Sequence, residues 1–148
     1  MRTLGIDLGT RRVGLALSDQ GGRYATPFDV LQVNGMAAAI EPIAKIVRDE
    51  GITRIVVGLP LNMDDSVGPA ARAAVAWGRQ VATAAAVPVV YVDERLSSFV
   101  AEQSLNDRKR GGEKLTRGRR KQRLDALAAA DFLQAFLDGR LPAIDVES

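Results

Sequence analysis

The stretch that most constrains the fold is a pair of alternating segments near the start of the chain. Thr3 to Leu8 and Arg12 to Ser18 are separated only by Gly9-Thr10-Arg11. Leu4, Ile6 and Leu8 fall on one face of the first segment, and Val13, Leu15 and Leu17 on one face of the second. The opposite faces carry Gly5, Asp7, Gly14 and Ala16, all small except Asp7. Alternation with a period of two is the pattern of strands with one face on a core, and the short separation makes them a hairpin.

The rest of the chain extends this hairpin. Asp19-Gln20-Gly21-Gly22 reads as a turn, and Tyr24–Val30 as a third strand interrupted by Pro27. Helix and strand then alternate. Gly35–Glu50 reads as helix, Arg54–Gly58 as strand, and Ser66–Ala86 as an Ala-rich helix that Asp64, Asp65 or Ser66 can cap. Pro88–Asp93 reads as strand, Ser98–Leu105 as a short helix and Gln122–Asp138 as a final helix. A three-strand meander followed by βαβ units predicts an α/β fold: a mixed sheet with helices on both faces. Without internal repeats or a second composition regime, residues 1–140 are expected to form one domain. Residues 141–148 then form a tail, and residues 107–120 a mobile basic loop. A chain of 148 residues can bury a core of its own. It shows no signal-peptide pattern and no run of 18 apolar residues, so a cytoplasmic location without membrane contact is expected.

Composition narrows the chemistry. The chain has no histidine and no cysteine, which removes Cys/His zinc sites, Ser-His-Asp and Cys-His triads, and thiol nucleophiles. Hydrolysis at neutral pH is left to carboxylates, with or without metal ions, or to Lys, Tyr or Ser variants. The net charge of +2 hides an asymmetry. Residues 107–123 hold nine of the 20 basic residues and two of the 18 acidic ones, a net +7. The rest of the chain, with 11 basic and 16 acidic residues, carries −5. A basic arm on an acidic body is the footprint of a polyanion partner, although a solvated loop would have the same composition. No aromatic residue interleaves the run, so phosphate contact suits it better than base stacking.

The carboxylates fall where open α/β sheets place their ligand sites, beyond strand ends. Asp7 lies in the first strand on the face of Gly5, where it either serves chemistry or bonds the amides of the Gly9-Thr10 turn. Asp93 and Glu94 end the strand over Pro88–Asp93, and one of the two is expected to be structural, pairing with Arg95 or capping the following helix. In the final helix, about 100° per residue groups Asp131, Gln134 and Asp138 as a solvated polar face. Asp125 points instead toward Phe132, Phe136 and Ala129. A carboxylate over an apolar stripe costs about 2–7 kcal/mol without compensation. It therefore needs a cation such as Lys121, the helix dipole, a set of donors or a metal. Asp7, Glu94 and Asp125 can converge from two strand ends and a helix. Hard oxygen donors without nitrogen or sulfur select Mg²⁺ or Mn²⁺. Two such ions would activate water and stabilise a departing phosphodiester oxygen, which removes the need for a histidine base.

Four stretches carry a family resemblance. They are Gly5-Ile-Asp-Leu-Gly-Thr10 with Arg12-Val-Gly-Leu-Ala-Leu17, then Ile55-Val-Val-Gly-Leu-Pro-Leu-Asn62, Val92-Asp-Glu-Arg-Leu-Ser-Ser98 and Leu124-Asp-Ala-Leu-Ala-Ala-Ala130. In this order and spacing they resemble the YqgF family of pre-16S rRNA nucleases and Holliday-junction-resolvase-like proteins, over essentially the whole chain. The resemblance implies an RNase H-like fold with a five-stranded mixed sheet. It implies a metal-dependent nuclease that processes the 5′ end of small-subunit ribosomal RNA, with ribosome-associated assembly as its setting. Asp7, Glu94 and Asp125 match the family's metal ligands. Asn62 matches a loop beside the site. Arg95 and the basic residues Arg108, Lys109, Arg110, Lys114, Arg117, Arg119, Arg120 and Lys121 are the expected substrate contacts. Related junction resolvases place two carboxylates three residues apart on the last helix, whereas Gln122 stands at the earlier position here. That departure weakens the second metal and the junction-resolvase alternative. A nucleic-acid-binding factor without catalysis and an actin- or Hsp70-like nucleotide binder are further alternatives. The second of these requires two domains, more than this chain offers.

Overall fold

The computed structural model describes residues 1–61, 67–93 and 117–144, with residues 117–124 as backbone alone. Strands β1 (Thr3–Leu8), β2 (Arg12–Ser18), β3 (Ala25–Gln32), β4 (Arg54–Leu59) and β5 (Val89–Asp93) form one sheet in the order β3-β2-β1-β4-β5. β1 pairs antiparallel with β2, and β2 with β3. β1 pairs parallel with β4, and β4 with β5. The meander followed by parallel crossovers is the arrangement that the alternating pattern predicts.

Helices cover both faces. A 3₁₀ turn over Met36–Ala39 runs into α1 (Ile40–Glu50), so the continuous helix expected from Gly35 is α-helical only in its later part. Helix α2 (Pro69–Ala85) starts after the expected Ser66, and Gly68 stands at its N-cap in place of Asp64, Asp65 or Ser66. Pro69 explains the shift, because its fixed φ suits the first helical turn and its missing N–H is not needed there. Helix α3 (Arg117–Leu137) begins five residues before the expected Gln122. Residues 117–120 therefore belong to a helix and not to the basic loop, in keeping with the good helix propensity of Arg. The expected helix over Ser98–Leu105 lies outside the described residues.

The third strand extends two residues beyond the expected Val30, to Gln32. Leu15 pairs with Asp29 and Ala16 with Pro27, so Phe28 is the extra residue of a bulge. The sheet edge accommodates Pro27, which has no N–H for a second ladder. The β2–β3 turn is held by Asp19, whose Oδ1 accepts hydrogen bonds from the Arg23 and Tyr24 backbone amides at 2.7 and 3.0 Å. These bonds, Tyr24 first, hold its carboxyl below the usual value.

The α1/α2 side holds the larger core. Leu4, Ile6, Val13, Leu15, Ile55, Val57 and Leu59 are fully buried there against Ile43, Val81 and Trp77. Trp77 anchors α2 to the start of the 3₁₀ turn, its indole N–H donating to the Met36 carbonyl at 2.7 Å. The face of α2 carrying Ala71, Ala74, Trp77 and Val81 is thus part of the core. On the opposite side Ala16, Val56 and Val92 pack beneath Ala129, Phe132 and Leu133 of α3.

Candidate carboxylate centre

The small residues of the first hairpin decide where α3 lies. A Cβ on Gly5 would stand 3.0 Å from Leu133 Cβ and 3.1 Å from the Ala129 carbonyl oxygen. A Cβ on Gly14 would overlap the carbonyl of Asp125 itself. Gly14 is the cross-strand partner of Asp7. Asp7 follows Gly5 by two residues in β1, so it shares the face that α3 covers. Backbone packing thus sets Asp125 over the strand partner of Asp7.

Asp125 is held by a cation, as its position over an apolar stripe requires, and among the described residues Arg12 supplies it. Arg12 Nε–H donates to Asp125 Oδ2 at 2.9 Å, with 39% of the Arg12 side chain and 26% of the Asp125 side chain exposed. Arg12 precedes Gly14 by two residues in β2 and so lies on the face of Asp7 and Gly14. Sequence reasoning missed Arg12 as a member of the centre. Its signal was available: it is the cation on the small-residue face of the hairpin.

The strand ending at Asp93 separates the adjacent acids. Tyr91 belongs to the core on the α1/α2 side, whereas Val90 and Val92 pack under α3. Asp93, half-buried at the strand end and paired with Leu59, carries the parity of Tyr91 and not that of Val92. Glu94, Asn62, Arg95, Arg108, Lys109, Arg110 and Lys114 lie outside the described residues. Arg117, Arg119, Arg120 and Lys121 are placed by backbone only, in the first turns of α3.

The expected polar face of α3 is only partly solvated. Asp138 is exposed, but Asp131 is half-buried and its Oδ2 is buried. Gln134 ties α3 to β3: its Oε1 accepts the Ala25 amide at 2.8 Å and its Nε2 donates to the Arg23 carbonyl at 2.8 Å. The helical wheel groups these residues correctly, but β3 reaches far enough to cover part of that face.

Among the described residues no three His, Cys, Asp or Glu side chains cluster closely enough to hold a metal ion. The described donors are nonetheless the right kind. Asp7 and Asp125 offer only carboxylate oxygens, the chemistry of a Mg²⁺ or Mn²⁺ site with a third ligand still to be supplied.

Sheet order, strand directions and the placement of α3 define an RNase H-like α/β domain. Two Thermus thermophilus RuvC structures share this fold. One matches with a TM-score of 0.60 at 16% identity, covering 97% of this chain and 100% of that one. The other, in complex with a Holliday junction substrate, matches with a TM-score of 0.58 at 17% identity. The family described as RuvX, Holliday junction resolvase, matches residues 1–139, and the chain belongs to this RuvX/YqgF family. A relative from Anaeromyxobacter dehalogenans, named "Putative pre-16S rRNA nuclease", is 48% identical over 142 residues, 96% of this chain and 100% of its own length. A relative of the same name from Acidiphilium cryptum is 42% identical over 137 residues, 93% of this chain and 84% of its own length. No helix among the described residues is long and apolar enough to cross a membrane.

Proposed function

We propose that this protein is a divalent-metal-dependent nuclease that hydrolyses phosphodiester bonds and processes the 5′ end of pre-16S rRNA in the cytoplasm during ribosome assembly. The observation that carries the reading is the seating of Asp125 on Gly14, the strand partner of Asp7. It brings two carboxylates to one sheet face in a chain without histidine or cysteine. Close relatives bearing a pre-16S rRNA nuclease name support the choice of substrate. Residues 1–144 act as one domain: Leu141 is buried and the Ile144 amide donates to the Tyr91 carbonyl at 2.7 Å, so the tail expected from residue 141 does not begin there.

In this reading Asp7, Asp125 and Glu94 hold Mg²⁺ or Mn²⁺. The bound ions supply an activated water and charge stabilisation for the departing oxygen. Asp93, with the parity of the α1/α2 face, keeps the structural role. Asn62, Arg95 and the basic residues from Arg108 to Lys121 contact the sugar-phosphate backbone and hold the strand over the carboxylates. Such contacts do not read sequence, so they suit a structured RNA recognised by its shape.

The description of the matching family favours a second reading, resolution of branched DNA. Gln122, at the place of a fourth carboxylate in related resolvases, argues against it. The two are separated by offering the purified chain a structured RNA bearing the 5′ flank of 16S rRNA, single-stranded RNA and a four-way DNA junction. Each substrate is tested with Mg²⁺ and with Mn²⁺. RNA cleavage that disappears on chelation and in Asp125→Asn is the expected outcome. Cleavage confined to the junction supports the second reading. Salt-sensitive binding without cleavage of any substrate leaves a non-catalytic binding factor.

A further inference from the structure

The centre contains a group that works against a metal ion. Arg12 places a guanidinium on Asp125 Oδ2 at 2.9 Å, on the face that also carries Asp7. Both side chains are partly exposed. Partly solvated pairs of this kind are weak and exchange readily. A positive charge at this distance nevertheless lowers the negative potential that Asp7 and Asp125 present to a divalent cation. Arg12 is held in β2 by its pairing with Gln32 of β3, so the charge stays near the centre even when the contact opens.

We infer that Arg12 is a resident competitor for Asp125, so that a divalent ion takes up Asp125 only as the guanidinium gives it up. The inference rests on Asp125 being a metal ligand, as proposed above. It assigns to Arg12 a role opposite to that of a residue that merely orients the carboxylate. An orienting residue tightens metal binding, whereas a competitor weakens it. The signs differ, and binding can be read without any turnover.

The test titrates Mn²⁺ into the full chain at pH 7 without nucleic acid and follows free Mn²⁺ by electron paramagnetic resonance. Arg12→Gln removes the charge and is expected to lower the Mn²⁺ dissociation constant about three- to tenfold, the range set by a partly exposed charge pair. Arg12→Ser, a second neutral variant, is expected to do the same and serves if Arg12→Gln does not fold. Arg12→Lys keeps the charge and should stay within about twofold of the parent. Asp125→Asn should lose the site. Unchanged or weaker Mn²⁺ binding in the neutral variants overturns the inference, as does equal tightening in Arg12→Lys. Parent-like binding by Asp125→Asn overturns the carboxylate centre as well, which separates failure of the site from failure of the role given to Arg12.

Discussion

On the α1/α2 side of the sheet the strands present Leu4, Ile6, Leu15, Ile55 and Val57, all fully buried, and the helices stand off on large side chains. On the α3 side the first hairpin presents Gly5, Gly14 and Ala16, and the helix backbone comes down onto the strands. One face gains stability from apolar volume. The other gives up that volume so that the α3 backbone at Asp125 can lie against Gly14, the strand partner of Asp7. Close approach places polar groups accurately but leaves little room to absorb change, since a shift in either backbone moves the carboxylates.

This contrast can be broken from either side. The largest effect expected is on catalysis: Asp7→Asn should reduce cleavage about a thousandfold, equivalent to about 4 kcal/mol of transition-state stabilisation. Its unfolding midpoint should stay close to that of the parent, because the amide keeps the shape of the carboxylate. Steady-state cleavage rates and thermal melts on the same preparation check both halves. Across the sheet, Leu15→Ala should cost about 3 kcal/mol of stability through lost burial and the cavity left behind. Denaturant titration reads this cost, and cleavage by the fraction still folded should be near that of the parent.

Gly14→Ala should fall between these two behaviours. Its added methyl meets the Asp125 carbonyl, a backbone atom that cannot rotate away. About 1–3 kcal/mol of stability should be lost as α3 shifts outward. Activity should fall with it, since the shift carries Asp125 away from Asp7. If Gly14→Ala keeps full activity, the carboxylates do not depend on this contact.

The smallest effect lies back on the core side. The Tyr91 hydroxyl donates to the Val75 carbonyl at 3.2 Å, and Tyr91→Phe should cost about 1 kcal/mol. Burial pushes the Tyr91 hydroxyl above its usual value of 10.0, against a lesser opposing pull from Arg79. The unfolded chain therefore releases this proton first, and stability falls as pH rises past about 10 toward the folded value. Tyr91→Phe should lose that part of the alkaline limb in a pH series of denaturant titrations.

The hairpin, the change from meander to crossover and the face that each strand buries were legible because alternation with a period of two is a local property. Leu4, Ile6 and Leu8 declare their face whatever lies above them. Helix ends were less legible. Pro69 and the helix-forming residues from Arg117 onward moved them, and the cost of extending or trimming a turn is small. Asp125 was legible as a carboxylate in need of compensation, since its position on the helical wheel follows from spacing alone. The identity of its partner was not, because Arg12 is 113 residues away along the chain. The same holds for Asp131: the wheel groups it with Gln134 and Asp138, but only the reach of β3 decides how much water that face sees.

The sequence by itself determined the order and type of the described elements, the large and small faces of the first hairpin, the basic run and the exclusion of histidine and cysteine chemistry. Each of these depends on residue identity or on spacing within one element. Tertiary structure alone decided that Asp125 rests over the strand partner of Asp7, that Arg12 is the cation on it and that Asp93 takes the parity of Tyr91. Those outcomes depend on how closely a helix can approach a sheet and on the register of strands distant in sequence, and no local pattern carries that information.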